Sequence, residues 1–195
     1  MPRSAPRGGP ETRARIAETA SGMFAERGFD AVTVAQVAEA AGVSSVTVFK
    51  HFPRKEDLFL DRSAETVARF LDAVDGVPRD HVLDALEDLT VRLVDERAPI
   101  SGLAPGSESF FRTIAGSPAL RSRVRELVAE AQGAIAGAIG DELLAALVVA
   151  GYSTVFVDTA RRILADEHRD AVVAAHRAGL DRLFRALRGG VASAT

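Results

Sequence analysis

Thr33-Val-Ala-Gln-Val-Ala-Glu-Ala-Ala-Gly42-Val-Ser44-Ser-Val-Thr-Val-Phe-Lys50-His-Phe-Pro53-Arg-Lys55-Glu-Asp-Leu58 contains two short helical segments with a tight turn between them. Thr33 is an N-cap residue, and Gln36, three positions on, completes a capping box in which side chain and backbone satisfy each other's free groups. Val34, Val37 and Ala41 recur at helical spacing, and Gly42 closes this first helix after roughly eight residues. Ser44 caps a second helix through Val46, Thr47, Val48 and Phe49, and Pro53 stops it. Val37, Ala38, Val43, Val48 and Phe52 are placed to hold the two together. Two short helices joined by a glycine-containing turn have the geometry of a helix-turn-helix. The same pattern equally describes a tight helix pair in an ordinary bundle.

Outward from this stretch the chain keeps reading as helix. Ile16, Ala20, Met23 and Phe24 share one face before Gly28, after which Phe29 is expected to fold back toward Phe24. Downstream, a long helix is expected from Lys55 to Asp75, with Leu58, Val67, Phe70, Leu71 and Val74 inward. Another spans Arg79 to Arg97 on a Val82, Leu86, Leu89, Leu93 stripe, and residues 98–107 form a loop. A short helix holds Phe110, Phe111 and Ile114. Pro118 opens the next, running to Ile139. Asp141 caps a helix to Glu167, and the last spans Arg169 to Arg188. Nine helices and no alternating strand pattern make the expected fold all-α.

Composition bounds the function. At 47% hydrophobic and 26% charged residues, the 195-residue chain can build a sizeable core. Cysteine is absent, which removes disulfides and thiolate metal sites and fits a reducing cytoplasm. The apolar stretch Leu143–Val157 is interrupted by Gly151-Tyr152-Ser153-Thr154 and is expected to be too short for a bilayer, so a soluble, cytoplasmic protein without membrane contact is expected. Net charge is −3, but residues 1–55 hold eight Lys/Arg against five Asp/Glu, whereas residues 56–195 hold sixteen against twenty-two. A basic end on an acidic body suits a chain that meets phosphate at one end only.

The second short helix has the chemistry to read DNA. Its N-terminal side chains would face base edges in the major groove. Ser44, Ser45 and Thr47 can donate and accept hydrogen bonds there. Lys50 and His51 follow, and Lys55 opens the next helix. Thr33, at a helix start, adds a hydroxyl for one phosphate, and Arg3 and Arg7 can reach the minor groove.

The run quoted above resembles the DNA-binding signature of the TetR family of bacterial transcriptional regulators. The likeness lies at Thr33, Val37, Ala38, Ala41-Gly42-Val43-Ser44, Thr47, Phe49, His51-Phe52, Lys55-Glu56 and Leu58, with Ala25 to Phe29 matching the end of the first helix. It implies an N-terminal three-helix DNA-binding domain, residues 1–54, and a helical effector-binding and dimerisation domain, residues 55–195. One departure stands out: many members carry a phosphate-binding tyrosine where this chain has Phe49, which has no hydroxyl to offer and stays a DNA-contact candidate by packing against sugar or the helix pair.

A single helix-turn-helix makes few contacts, and a two-fold dimer on a palindromic operator doubles them. The two last helices are the interface candidates, through Leu147, Gly151, Val155, His176, Leu180, Leu183 and Phe184; a purely internal role for these residues is the alternative. The resemblance implies that these helices pair with their copies, and that the middle helices enclose an effector pocket. Phe70, Phe110, Phe111, Tyr152 and Phe156 are its candidates, with Thr113, Ser153 and His81 as polar partners, and core packing is again the alternative. The expected effector is a small, largely apolar molecule, and its coupling lever is the Lys55–Asp75 helix. Repression is the expected mode.

Other classes fit less well. His51, His81, His168 and His176 show no metal-binding i,i+4 pair, and Gly-x-Ser-x-Gly and a phosphate-binding glycine loop are both missing. Neither enzyme activity nor a metal or cofactor is expected. A non-specific DNA binder would show steep salt dependence without sequence preference. A ligand carrier with a vestigial DNA module would ignore DNA.

Overall fold

A computed structural model describes residues 9–192, with side chains through Gly189; the tail arginines Arg3 and Arg7 lie outside the described residues. Ten α-helices follow one another: α1 (Pro10–Arg27), α2 (Val34–Ala40), α3 (Ser45–His51), α4 (Lys55–Phe59), α5 (Ser63–Val74), α6 (Val82–Asp95), α7 (Ser107–Gly116), α8 (Pro118–Ile139), α9 (Glu142–Leu164) and α10 (Arg169–Ala192). Single 3-10 turns precede α6 and interrupt the loop before α7, and no strand occurs among the described residues. The all-α expectation holds.

The tenth helix comes from a break inside the expected Lys55–Asp75 helix. Leu60 closes α4 with its amide on the Glu56 carbonyl, and the Ser63 amide bonds back to Leu60. Leu60 is buried and Asp61 is tied by a 2.7 Å ion pair to Arg13 of α1. Phe70 and Val74 of α5, by contrast, belong to the core of the second unit. The chain turns where its burial partners change. No glycine or proline marks the place, so periodicity reads straight through it.

Two compact units result. The first comprises residues up to Ser63 together with Ala115–Val124. α1 packs on α2, α3 and α4. The Phe24, Phe29 and Phe59 rings meet at 5.2, 6.0 and 5.8 Å between centroids, so Phe29 does fold back on Phe24. Ile16, Ala20, Val32, Val37 and Val48 are fully buried. Each such aliphatic side chain of Val or Ile size contributes about 1.5–3 kcal/mol by leaving water.

The second unit comprises Ala64–Ile114 and Arg125–Thr195. Its core joins α5, α6, α9 and α10 through Phe70, Val74, Leu86, Leu93, Val148, Val172, Leu180 and Phe184. The stripe expected from Val82 to Leu93 is buried throughout. α9 runs unbroken through Gly151–Thr154. This corrects the expected interruption: by length and composition alone, α9 is apolar enough to cross a bilayer.

Candidate functional site

The two short helices of the first unit are set by their caps. The Gln36 amide donates to Thr33 Oγ1 at 3.2 Å, and the Thr33 amide donates to Gln36 Oε1 at 2.9 Å, the expected capping box. At the turn Gly42 takes φ +65°, a left-handed conformation that is costly for a residue with a Cβ. This lets the Val43 amide reach back to the Ala38 carbonyl at 2.9 Å and satisfies the end of α2. Ser44 then caps α3: its Oγ accepts the Thr47 amide at 3.1 Å and lies 2.9 Å from Thr47 Oγ1. The hydroxyls of Thr33, Ser44 and Thr47 therefore already serve the helix ends.

Two arginines of α1 brace this arrangement. The Arg15 guanidinium donates to the Ala41 carbonyl at 3.2 Å, and Arg13 lies 4.6 Å over the Phe52 ring while pairing with Asp61. Their neighbours in sequence gave no sign of this role, because it depends on partners up to 48 residues away.

The outward face of α3 differs from the expected one. Lys50 is exposed and Phe49 is 49% exposed, but the most exposed of the large apolar side chains among the described residues is Val46, at 79%. Val46 was read only as part of the helix. Its signal was its spacing, three and four residues before Phe49 and Lys50. Ser45 and Thr47 are half-buried. His51 is half-buried too, and its Nε2 lies out of solvent without a hydrogen-bond partner. Lys55 folds onto the first unit, with Nζ 4.2 Å over the Phe29 ring and 3.5 Å from the Asp30 carbonyl. From Ala40 to Lys55 the chain holds Lys50, Arg54 and Lys55 and no carboxylate, so this surface attracts anions.

In the second unit the five expected pocket residues pack largely against one another. Phe70 meets Tyr152 edge-on at 5.5 Å, Phe111 meets Phe156 at 5.3 Å, and Phe110 meets Phe111 at 5.8 Å. The Tyr152 hydroxyl donates to the Ile100 carbonyl at 3.2 Å, and burial pushes its pKa well above the ordinary tyrosine value. Among the expected polar partners, Thr113 bonds to its own helix at the Ser109 carbonyl, Ser153 is half-buried, and His81 is exposed between Asp80 and Asp84. Two surface depressions are lined by other residues. One, of about 330 Å³, lies between Glu87, Val91 and Val94 of α6 and Arg177, Leu180 and Asp181 of α10. The other, of about 550 Å³, lies along Gln132, Gly133, Ala136 and Gly137 of α8, with Gly140 and Glu142.

Six of the seven expected interface residues are buried or half-buried within their own chain. His176, Leu180 and Phe184 are buried in the unit's own core. His176 Nδ1 lies 2.7 Å from Thr159 Oγ1 of α9. Gly151 and Val155 face α10 of the same chain. A Cβ on Gly151 would fall 2.1 Å from Leu183 Cδ1, and a Cβ on Gly179 would fall 3.1 Å from Val155. Leu147 alone of the seven is exposed. It lies on an outward apolar face of α9 with Leu143, Val157 and Leu164. An all-round apolar helix serves two surfaces, and the tertiary structure decides which face is left over.

Residues 16–61 match the family model described as "Bacterial regulatory proteins, tetR family". The HTH-type transcriptional repressor AcnR of Corynebacterium glutamicum is 41% identical over 63 residues, 32% of this chain and 34% of that protein. The chain thus spans about a third of the length of the first curated relatives it matches. The HTH-type transcriptional repressor KstR2 of Rhodococcus jostii is 31% identical over 118 residues, 60% of this chain and 52% of that one. In overall fold the chain is similar to a TetR-family regulator from Streptomyces coelicolor, with TM-score 0.58 and 23% identity over 94% of this chain and 99% of that one. It is also similar to Thermus thermophilus FadR, a TetR-family repressor solved with lauroyl-CoA, with TM-score 0.52 and 21% identity over 88% and 92%.

Proposed function

We propose that this chain, whose residues 16–61 match the model of the tetR family of bacterial regulatory proteins, is a DNA-binding transcriptional repressor acting as a homodimer on a palindromic operator. The observation that carries this reading is α3 itself. It is a capped helix after a glycine turn, it presents an outward face of Val46, Phe49 and Lys50, and it sits in a segment from 40 to 55 without a carboxylate. Lys50 supplies phosphate attraction, and the helix face supplies base contacts. The matched relatives AcnR and KstR2 are repressors by name, which favours repression here.

The dimer forms through the outward apolar face of α9, where Leu143, Leu147, Val157 and Leu164 stand exposed. An exposed apolar stripe on a helix calls for a partner surface, and a two-fold copy supplies one that matches itself.

The effector is a small, largely apolar molecule held among the aromatic residues of the second unit. FadR of T. thermophilus was solved with lauroyl-CoA, whose acyl chain is apolar. Here Phe70 meets Tyr152 edge-on, and Phe111 meets Phe110 and Phe156 edge-on, so the ligand enters by parting such contacts. Ligand and operator favour different states and each weakens the other's binding. The lever is not one helix from 55 to 75, because α4 and α5 are separate. Of the helices that carry residues of both units, α8 has the longest stretch in each and is the lever proposed instead.

Selection from random duplexes with the full-length protein tests the function. The expected result is one palindromic sequence, bound tightly and with a steep inverse dependence on salt. Recovery of duplexes without any shared sequence would overturn it.

A further inference from the structure

We propose that Val46 sets base preference by packing on the 5-methyl group of a thymine in the major groove, with Phe49 forming the wall of the same contact. The inference rests on the DNA-reading role of α3 and names what that helix reads.

Isolated exposed apolar residues are common on proteins and carry no meaning alone. Three observations give this one a meaning. Val46 is 79% exposed and Phe49, one turn on, is 49% exposed, so the helix presents a small apolar step rather than a single side chain. Two polar groups beside it engage each other: Ser44 Oγ and Thr47 Oγ1 lie 2.9 Å apart, and Ser44 also accepts the Thr47 amide, while Ser45 is half-buried. What α3 offers outward is thus chiefly aliphatic and aromatic surface with Lys50 at its edge.

The third observation selects the occupant. The segment from Ala40 to Lys55 carries three cations and no carboxylate, so its partner is a polyanion and not an apolar protein surface. Within a duplex, the one apolar group at the major-groove edge of the four bases is the thymine methyl. An aliphatic side chain one turn from the exposed Lys50 finds its complement there. Phe49 has no hydroxyl for a phosphate, and its ring completes the apolar contact instead.

Thymine-to-deoxyuridine replacement removes that methyl and nothing else. In the selected operator, each thymine is replaced in turn and binding is measured for the full-length wild-type protein and for Val46→Ala. At one position per half-site the wild type loses about fourfold, the factor that burial of one methyl group contributes. Val46→Ala binds the unmodified operator more weakly and is indifferent to the same replacement. An unchanged melting temperature for Val46→Ala shows that the loss is not one of folding, as the residue's exposure requires. If selection returns no preferred duplex, the DNA-reading role falls and this inference with it. If a preferred duplex is found but its thymine methyls are dispensable, or if Val46→Ala loses as much as the wild type, this inference alone is overturned.

Discussion

Asp57 and Arg123, 66 residues apart in sequence, meet in a 2.7 Å ion pair with both side chains largely withdrawn from solvent. Asp57 does double duty, since its second carboxylate oxygen accepts the Arg54 amide at 3.1 Å and so caps α4. The pair fastens the first two turns of α8 into the first unit, where Leu120 is fully buried.

Removal of one partner leaves a poorly solvated charge. Arg123→Ala is expected to destabilise the protein by about 2–3 kcal/mol, toward the low end for a buried pair because some exposure remains. Thermal denaturation checks this. An unchanged melting temperature would mean that water replaces the guanidinium without loss.

His176 makes stability depend on pH. It is 2% exposed, and burial first, then the charge of Arg177, lowers its pKa from 6.5 to about 4. The Thr159 hydroxyl donates to the Val155 carbonyl, so His176 Nδ1 donates to Thr159 and Nε2 stays unprotonated. Above pH 6.5 the ring is neutral in both folded and unfolded chains. Between about 6.5 and 4 the unfolded chain binds the extra proton, so stability falls as pH falls, by about 1.4 kcal/mol per unit and roughly 3 kcal/mol in all. Urea denaturation from pH 8 to 5 is expected to show a shallower slope in His176→Gln than in the wild type. Parallel slopes would remove His176 as the source.

Gly151 is required by close approach. A Cβ there would meet Leu183 Cδ1 at 2.1 Å and Cγ at 3.1 Å. Gly151→Ala is expected to cost about 1–3 kcal/mol through overpacking between α9 and α10. The double variant Gly151→Ala, Leu183→Ala is expected to lose less than the two single losses added together. Additive losses in chemical denaturation would show that the two residues do not compete for space.

Lys50 is exposed on the outward face of α3, whereas Lys55 lies over the Phe29 ring. Lys50→Ala is expected to weaken binding to all duplexes alike and to reduce the salt slope by about one per protomer. Titrations at several salt concentrations measure it. A change in base preference with an unaltered slope would move Lys50 from phosphate to base.

Leu147→Glu places a charge in the outward apolar face of α9. Because Leu147 is exposed within its own chain, the expected result is a folded monomer in sedimentation, with operator affinity reduced at least tenfold by loss of the second half-site. A dimer of wild-type strength would place the interface elsewhere.

Much of the fold was legible because it rests on local chemistry. The Thr33–Gln36 capping box, the Ser44 cap and the Gly42 turn each depend on residues within a few positions of one another, and all three stand where they were expected. The break after Phe59 was not legible. It has no glycine or proline, and it arises because Leu60 and Asp61 are held against the first unit while Phe70 joins the core of the second. Among the candidate functional residues the limit was the same. Thr47, His51 and Lys55 have the right chemistry for DNA, and only the tertiary structure places them: Thr47 Oγ1 beside Ser44 Oγ, His51 Nε2 out of solvent without a hydrogen-bond partner, and Lys55 over the Phe29 ring.

The sequence by itself determined the helices, their caps and the kinship of residues 16–61, because periodicity, capping and turn chemistry act over three or four residues. The tertiary structure alone decided which side chains are left facing water. Val46, read only as part of its helix, stands on the surface, as does the interface candidate Leu147, while the interface candidates His176 and Phe184 pack inside their own chain. Burial is a relation between segments distant in the chain, and no local pattern records it.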